Sequence, residues 1–266
     1  MTPVGIIIAI VAILVSMTMD HGKVVELIKI PALLLVLGGS LGASLAGFDK
    51  RAAKTVPKAL KRAMKGNKGP KMRETADQLV SMSKEVRQNP LVLEQMETDD
   101  AFLKLGIQLI TSTSDPDRVQ ELLDAEVASL RHRHSVGIKF FADMAGFSPT
   151  FGILGTVIGL IGVLGQLSNP GKLGPAIASA FTATLWGVLL ANAVWLPISN
   201  KLKRLSEEEA VYREMVTEGL LTMQLNASSM DLRDRLYTYL PPSERGEDGT
   251  DSGGASSPPE PAEEAA

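Results

Sequence analysis

The chain has 266 residues, a formal net charge of −3 and no cysteine, which excludes disulfides, thiolate catalysis and cysteine-ligated metals. A mean hydropathy of +0.12 does not fit a soluble protein that is 21% charged. The apolar residues lie in blocks with the charges between them, the pattern of a polytopic membrane protein with a water-exposed domain.

Four runs carry no charge: Val4 to Met19, Ile30 to Phe48, Ala145 to Leu167 and Ala176 to Ser199. A bilayer core of about 30 Å takes roughly 17–25 helical residues. The last three runs meet that length, and the first meets it with Thr2–Pro3 and Asp20–His21 at the interfaces. No Lys or Arg precedes Val4 and no small-x-small site follows, so the first run is expected to be a retained span. The runs are too long and too uniform for barrel strands. The fold class is therefore all-α, with transmembrane helices at about 4–19, 30–48, 145–167 and 176–199.

Ten Lys/Arg and no acid fall between Lys50 and Arg73, directly after the second run, and Lys201, Lys203 and Arg204 follow the fourth. The positive-inside rule makes both places cytoplasmic, leaves 20–29 and 168–175 as external loops, and puts both termini inside. The basic run next to a span points to lipid headgroups rather than nucleic acid.

Segment 49–144 reads as a helical cytoplasmic domain. Lys50 to Met64 has a helical period, broken by Gly66-Asn67-Lys68-Gly69-Pro70. A second helix is expected from about Met72 to Gln88. Asn89-Pro90 then starts a third, running to about Thr111, and Asp115-Pro116 a fourth. In the fourth, Val119, Leu122, Leu123, Val127 and Leu130 share a face and the helix runs toward the third span. After the fourth span, 200–242 reads as one or two helices. Residues 243–266, with seven acids and one Arg from 244 onward, read as a disordered acidic tail.

No span holds Asp, Glu, Lys, Arg or His. A carboxylate at the bilayer centre costs at least about 2.5–3.5 kcal/mol and is kept there only for function. If protons or cations cross here, the titrating group belongs to another chain. Gly152, Gly155, Gly159 and Gly162 form one small-residue face of the third span, either for helix packing alone or for closer work, and Gly38, Gly42 and Ala46 repeat the device in the second. Thr156 lies about 16 Å into the third span and Thr184 about 12 Å into the antiparallel fourth. Either they meet near mid-membrane and offer oxygens to an ion or a partner carboxylate, or each bonds its own i−4 carbonyl. Pro149 and Pro197, near the cytoplasmic ends, are either static kinks or hinges. His132-x-His134 sits on a polar helix and reads as surface. There is no Ser/His/Asp set, metal cluster or phosphate loop, so no enzyme and no cofactor is expected.

The run from Pro149 to Ile161 (Pro-Thr-Phe-Gly-Ile-Leu-Gly-Thr-Val-Ile-Gly-Leu-Ile) resembles the MotA/PomA family of flagellar stator subunits, as do Leu173-Gly-Pro-Ala-Ile-Ala, Ala183-Thr-Leu-Trp-Gly-Val-Leu-Leu-Ala-Asn and Leu196-Pro-Ile-Ser-Asn-Lys-Leu. The resemblance covers roughly residues 1–240. It implies a ring of five copies around a dimer of a MotB/PomB-type single-span partner, whose aspartate binds the ion and which anchors to peptidoglycan. Flow of H+ or Na+ would then drive a FliG-type rotor switch protein. It further implies ion-path roles for Thr156 and Thr184, torque roles for Pro149 and Pro197, and rotor contacts for Arg87 and Glu94. Trp186 stands where the family often has Tyr. Two other readings are weaker. ExbB/TolQ-type energising subunits usually have three spans, which the hairpin at 4–48 argues against, and self-sufficient carriers usually hold intramembrane charges.

Overall fold

In the computed structural model the described residues are 2–19, 27–65, 71–89, 92–95, 98–165, 168 and 170–245. Among them every regular element is helical. The expected Gly66–Pro70 break, Asp20 and His21, Pro90 and the acidic residues beyond Arg245 lie outside this set. The chain forms two compact units, 1–69 with 128–210 and 70–127 with 211–266.

The first unit begins with two apolar helices, α1 (Thr2–Met19) and α2 (Ile30–Ala46). Pro31 sits in the first turn of α2, where its missing N–H costs nothing. The basic segment expected as one helix is two, α3 (Lys50–Ala53) and α4 (Val56–Lys65). Asp49 caps α3 by accepting from the Ala52 N–H at 2.6 Å. Pro57 has no N–H to give the Ala53 carbonyl, so the helix restarts.

Helix α8 (Pro116–Leu164) is continuous for 49 residues and carries Pro149 inside it; at 1.5 Å per residue it is about 73 Å long. Asp115 opens it, accepting from the Asp117 N–H at 3.1 Å. The return path is α9 (Pro170–Leu189), a π-helical segment Leu190–Trp195, and α10 (Leu196–Gln224). The π segment has a visible cause. Leu196 N–H donates to the Ala191 carbonyl five residues back, and Pro197 next to it has no N–H to restore the α pattern. Pro116–Leu164 and Leu173–Gln224 are long and apolar enough to cross a membrane, and only 17% and 33% of their most apolar stretches are buried within the chain.

Where the basic helices meet α8 and α10, the core is Ala63, Phe140, Phe141, Met144, Ile198 and Leu202. Phe48 packs edge-on against Phe140 at 5.7 Å, Phe140 against Phe141 at 5.4 Å, and Phe141 stacks on Trp195 at 6.3 Å. Such pairs add about 0.5–1.5 kcal/mol each beyond area burial.

The second unit holds α5 (Met72–Gln88), α6 (Val92–Gln95), α7 (Ala101–Ser112), the first turns of α8, the end of α10, and α11 (Ser229–Thr238). The third helix expected from Asn89-Pro90 to Thr111 is thus two helices. Asp100 divides them, because its carboxylate accepts from the Phe102 N–H at 2.7 Å and starts α7 afresh. Val119, Leu123, Val127 and Leu130 are buried as expected of one face, but Leu122 is 36% exposed. Asn226 takes a left-handed backbone, φ 55°, which ends α10 before Ser228 caps α11.

Asp100 also accepts a hydrogen bond from the Tyr212 hydroxyl. Burial, then this bond, pushes the Tyr212 phenol up to about 12. An unfolded tyrosine loses its proton near 10. The folded state therefore holds a proton that the unfolded state has lost, and stability falls as pH rises from about 10 to about 12. Melting curves of detergent-purified protein at pH 9 to 12 should show this fall, and Tyr212→Phe should flatten it while lowering the neutral-pH melting temperature. A Tyr212→Phe curve parallel to wild type would contradict the assignment.

Candidate functional site

The site grows from the pairing of α8 with α9. A methyl group built on Gly152 would lie 3.0 Å from the Ala183 carbonyl and 3.0 Å from Thr184 Cα; on Gly159, 2.6 Å from Ala180 Cβ; on Gly155, 2.5 Å from Ala183 Cβ and 3.1 Å from Leu35. On the facing helix, a methyl at Gly187 would lie 2.6 Å from the Ser148 carbonyl and 3.2 Å from Pro149 Cα. At Gly152 and Gly187 backbone meets backbone, and at Gly155 and Gly159 only an alanine methyl lies between the helices. Gly162, expected on this face, has nothing within 4 Å and takes no part, since the contact has ended one turn earlier.

Gly38 and Gly42 are likewise open, and Ala46 is exposed, so the small face expected on α2 does not pack within the chain. The packed stripe is Ala32, Val36, Ser40 and Ser44, offset by two residues and so on the opposite side of the helix. Gly39 adds to it by receiving the Phe151 ring. The four-residue spacing of Ala32, Val36, Ser40 and Ser44 is the sequence signal for this stripe. Gly187, a lone glycine beside Trp186, has no periodic partner in sequence to mark it.

The close approach brings Thr156 and Thr184 into hydroxyl–hydroxyl contact. Thr184 Oγ1 also lies 3.1 Å from the Gly152 carbonyl across the helix pair, not on its own i−4 carbonyl. Thr156 Oγ1 is 3.3 Å from that same carbonyl, which is its own i−4 oxygen, and 3.5 Å from Ala180 O. By contrast Thr182 and Ser148 do bond their own i−4 carbonyls, at 3.1 and 2.7 Å. Each hydroxyl has one proton and two lone pairs. If Thr184 donates to Gly152 O and Thr156 donates to Thr184, the lone pairs of Thr156 Oγ1 remain available to a cation or an acid proton. Both threonines are half-buried, and the helix flanks beside them, Ile153, Val157, Ile158, Phe181 and Leu185, are exposed and apolar.

The prolines stand in different settings. Pro149 is in the groove itself, opposite Gly187. Pro197 follows the π segment, above Ile198 in the aromatic core. Trp186 Nε1 donates to the Leu27 carbonyl at 2.7 Å and ties the start of α2 to α9. In the second unit, Arg87 is exposed in the last turn of α5, and Glu94 lies in α6 with its side chain outside the described atoms. Nothing described joins the two. His134, expected at the surface, is half-buried: its Nε2 is 2.8 Å from Arg62 and its Nδ1 3.1 Å from Ser206.

The glycine-paired stretch of α8 and α9 around these hydroxyls carries no ionisable side chain from Ala145 to Leu164 or from Leu173 to Leu189, and comparison with known proteins gives its family. The model of the MotA/TolQ/ExbB proton channel family matches residues 94–215, and that of the motility protein A N-terminal region matches residues 3–89. Motility protein A of Bacillus subtilis is 33% identical over 91% of this chain and 91% of its own. The flagellar MotAB stator complex from Bacillus subtilis superposes with a TM-score of 0.84 at 31% identity, over 91% of this chain and 96% of that one. The C. jejuni MotAB structure gives 0.85 at 25% identity, over 90% and 95%. The chain belongs to the MotA/TolQ/ExbB proton channel family, in its motility protein A branch.

Overpacking a tight contact costs about 1–3 kcal/mol, whereas replacing an open helical glycine by alanine gains about 0.5–1 kcal/mol. Gly187→Ala should therefore lower the melting temperature of the detergent-purified protein by several degrees, and Gly162→Ala should leave it unchanged or raise it. Equal effects of the two substitutions would refute the groove geometry.

Proposed function

We propose that this chain is the channel-wall subunit of a flagellar motor stator, working with a MotB/PomB-type partner to couple H+ or Na+ flow to torque. The observation that carries the reading is the Thr156–Thr184 hydroxyl pair in an otherwise chargeless helix groove. A carboxylate supplied by a partner helix beside this groove would find a hydroxyl oxygen to accept from it when protonated. When ionised, it would find that oxygen beside the incoming cation. The family resemblance supports the partner, and the matched stator complexes are themselves named MotAB.

Four spans follow from the same reading. At 1.5 Å per residue, α1 and α2 are about 27 and 26 Å long, close to the roughly 30 Å core of a bilayer. Their exposed Ile7, Ile8, Val11, Val15, Leu34 and Leu41 need an apolar surround. The basic residues after α2 orient both termini to the cytoplasm. Arg87 and Glu94 are the residues proposed to meet the rotor switch protein, by charge complementarity that sets register and rate more than affinity. Pro149, against Gly187, and Pro197, beside the π segment, are proposed to flex when the carboxylate changes charge. A ring of five copies around a partner dimer fits the exposed apolar flanks of α8.

Removing one hydroxyl from the pair should cost about 1.4 kcal/mol or more of ion stabilisation, about tenfold in conductance. Thr184→Val is therefore expected to assemble with the partner but leave cells non-motile, Thr184→Ser to retain swimming, and Pro149→Leu to assemble without torque. Normal swimming of Thr184→Val and Pro149→Leu cells would sink the mechanism. Because the native chain has no cysteine, Lys54→Cys gives a single label site. It should react with a membrane-impermeant maleimide only after the inner membrane is opened; labelling in intact spheroplasts would reverse the topology.

A further inference from the structure

The basic segment after α2 does more than mark a side of the membrane. Lys50, Arg51, Lys54, Lys58, Lys61, Arg62 and Lys65 lie on α3 and α4 or their junction. Among them only Arg62 has a described ion pair, with Glu209. The opposite side of α4 is fixed: Ala63 is buried in the aromatic core, with Val56 and Ala59 packed against it. Gly137 of α8 lets α4 lie close, since a methyl there would be 2.7 Å from Ala59 Cβ.

Beside this contact is a cavity of about 220 Å³ lined by Thr55, Lys58, Arg62, Arg133 and His134, with Ala59, Gly137 and Leu202. Three cationic side chains line it and no carboxylate does. Arg62 is held in place: one terminal nitrogen is paired with Glu209 and the other lies 2.8 Å from His134 Nε2. Arginine is donor-only, so Nε2 accepts and Nδ1–H donates to Ser206 at 3.1 Å. The Arg62 Nε–H is buried and has no partner among the described residues. That N–H is closed to the cavity, so the donors the cavity offers a ligand are the Lys58 ammonium and the Arg133 guanidinium beside the fixed Arg62 charge.

We propose that this cavity binds a phosphate group, that of an anionic phospholipid headgroup. Phosphate oxygens match the guanidinium and ammonium donors. The source follows from position: α4 starts ten residues after the end of α2, which under the topology proposed above places the cavity at the inner leaflet, where anionic lipids meet basic pockets. Bound there, a lipid bridges α4 to α8 and α10 at the base of the helix that carries Pro197.

The test uses the full chain copurified with its partner and native mass spectrometry of mixed micelles containing phosphatidylglycerol and phosphatidylcholine. Wild-type complex should retain phosphatidylglycerol in preference to phosphatidylcholine. Each cavity charge removed should weaken that retention about fivefold, so Lys58→Gln/Arg133→Gln should lose it. Lys54→Gln/Lys61→Gln removes two exposed charges outside the cavity and should keep it. Equal losses in the two double variants would overturn the site in favour of diffuse charge. Displacement of the lipid by millimolar sn-glycerol 1-phosphate as readily as by phosphatidylglycerol would overturn the lipid as source and leave a soluble phosphate ester. If the double variant does not assemble, the exposed Lys58→Gln alone should show the fivefold loss, and no loss there refutes the proposal. Retention in micelles depends on neither sidedness nor ion flux, so the Lys54→Cys labelling above tests the topology separately.

Discussion

Two helices can lie backbone to backbone only where side chains are absent, and the α8–α9 contact is built on that constraint. Gly152, Gly155 and Gly159 face Ala180, Ala183 and Gly187. In lipid this contact gains nothing from a hydrophobic effect, because the surround is as apolar as the side chains. Dispersion over a close backbone approach and the few polar bonds across it must hold the pair. The same closeness lets Thr184 reach the Gly152 carbonyl instead of its own helix. Packing and chemistry are thus one feature: the glycines that join the helices also bring two hydroxyls together.

The groove continues into the aromatic core. Pro149 borders it, and one helical turn before, Met144 enters the aromatic core of Phe140, Phe141 and Trp195. On the return helix, Leu190–Trp195 is π-wound and Pro197 follows. Both crossing helices therefore change their hydrogen-bond pattern between the hydroxyl pair and the basic helix α4. A π segment and a missing N–H leave carbonyls whose bonds are easily exchanged, and it is here that Pro149 and Pro197 are proposed to flex.

The sequence by itself determined the class. Chargeless runs bounded by basic clusters leave few folds open, because an unpaired backbone in lipid must be helical and a buried charge must be justified by function. Asp115-Pro116 and the apolar face through Val119, Leu123 and Val127 were readable for the same local reasons, capping and period. The motif glycines and threonines were readable as candidates, and their family positions as a resemblance.

Only the tertiary structure decided which small residues meet. Gly38 and Gly42 have the spacing of a packing face but stand open, while Ala32, Val36, Ser40 and Ser44 are buried. Spacing fixes that residues share a helix face; the rotation of the helix about its axis is set by its neighbours. The same holds for Gly162, one turn past the end of contact, and for His134, which the sequence places on a polar helix and the fold sets between Arg62 and Ser206. Local rules name the faces of a helix, and only packing chooses among them.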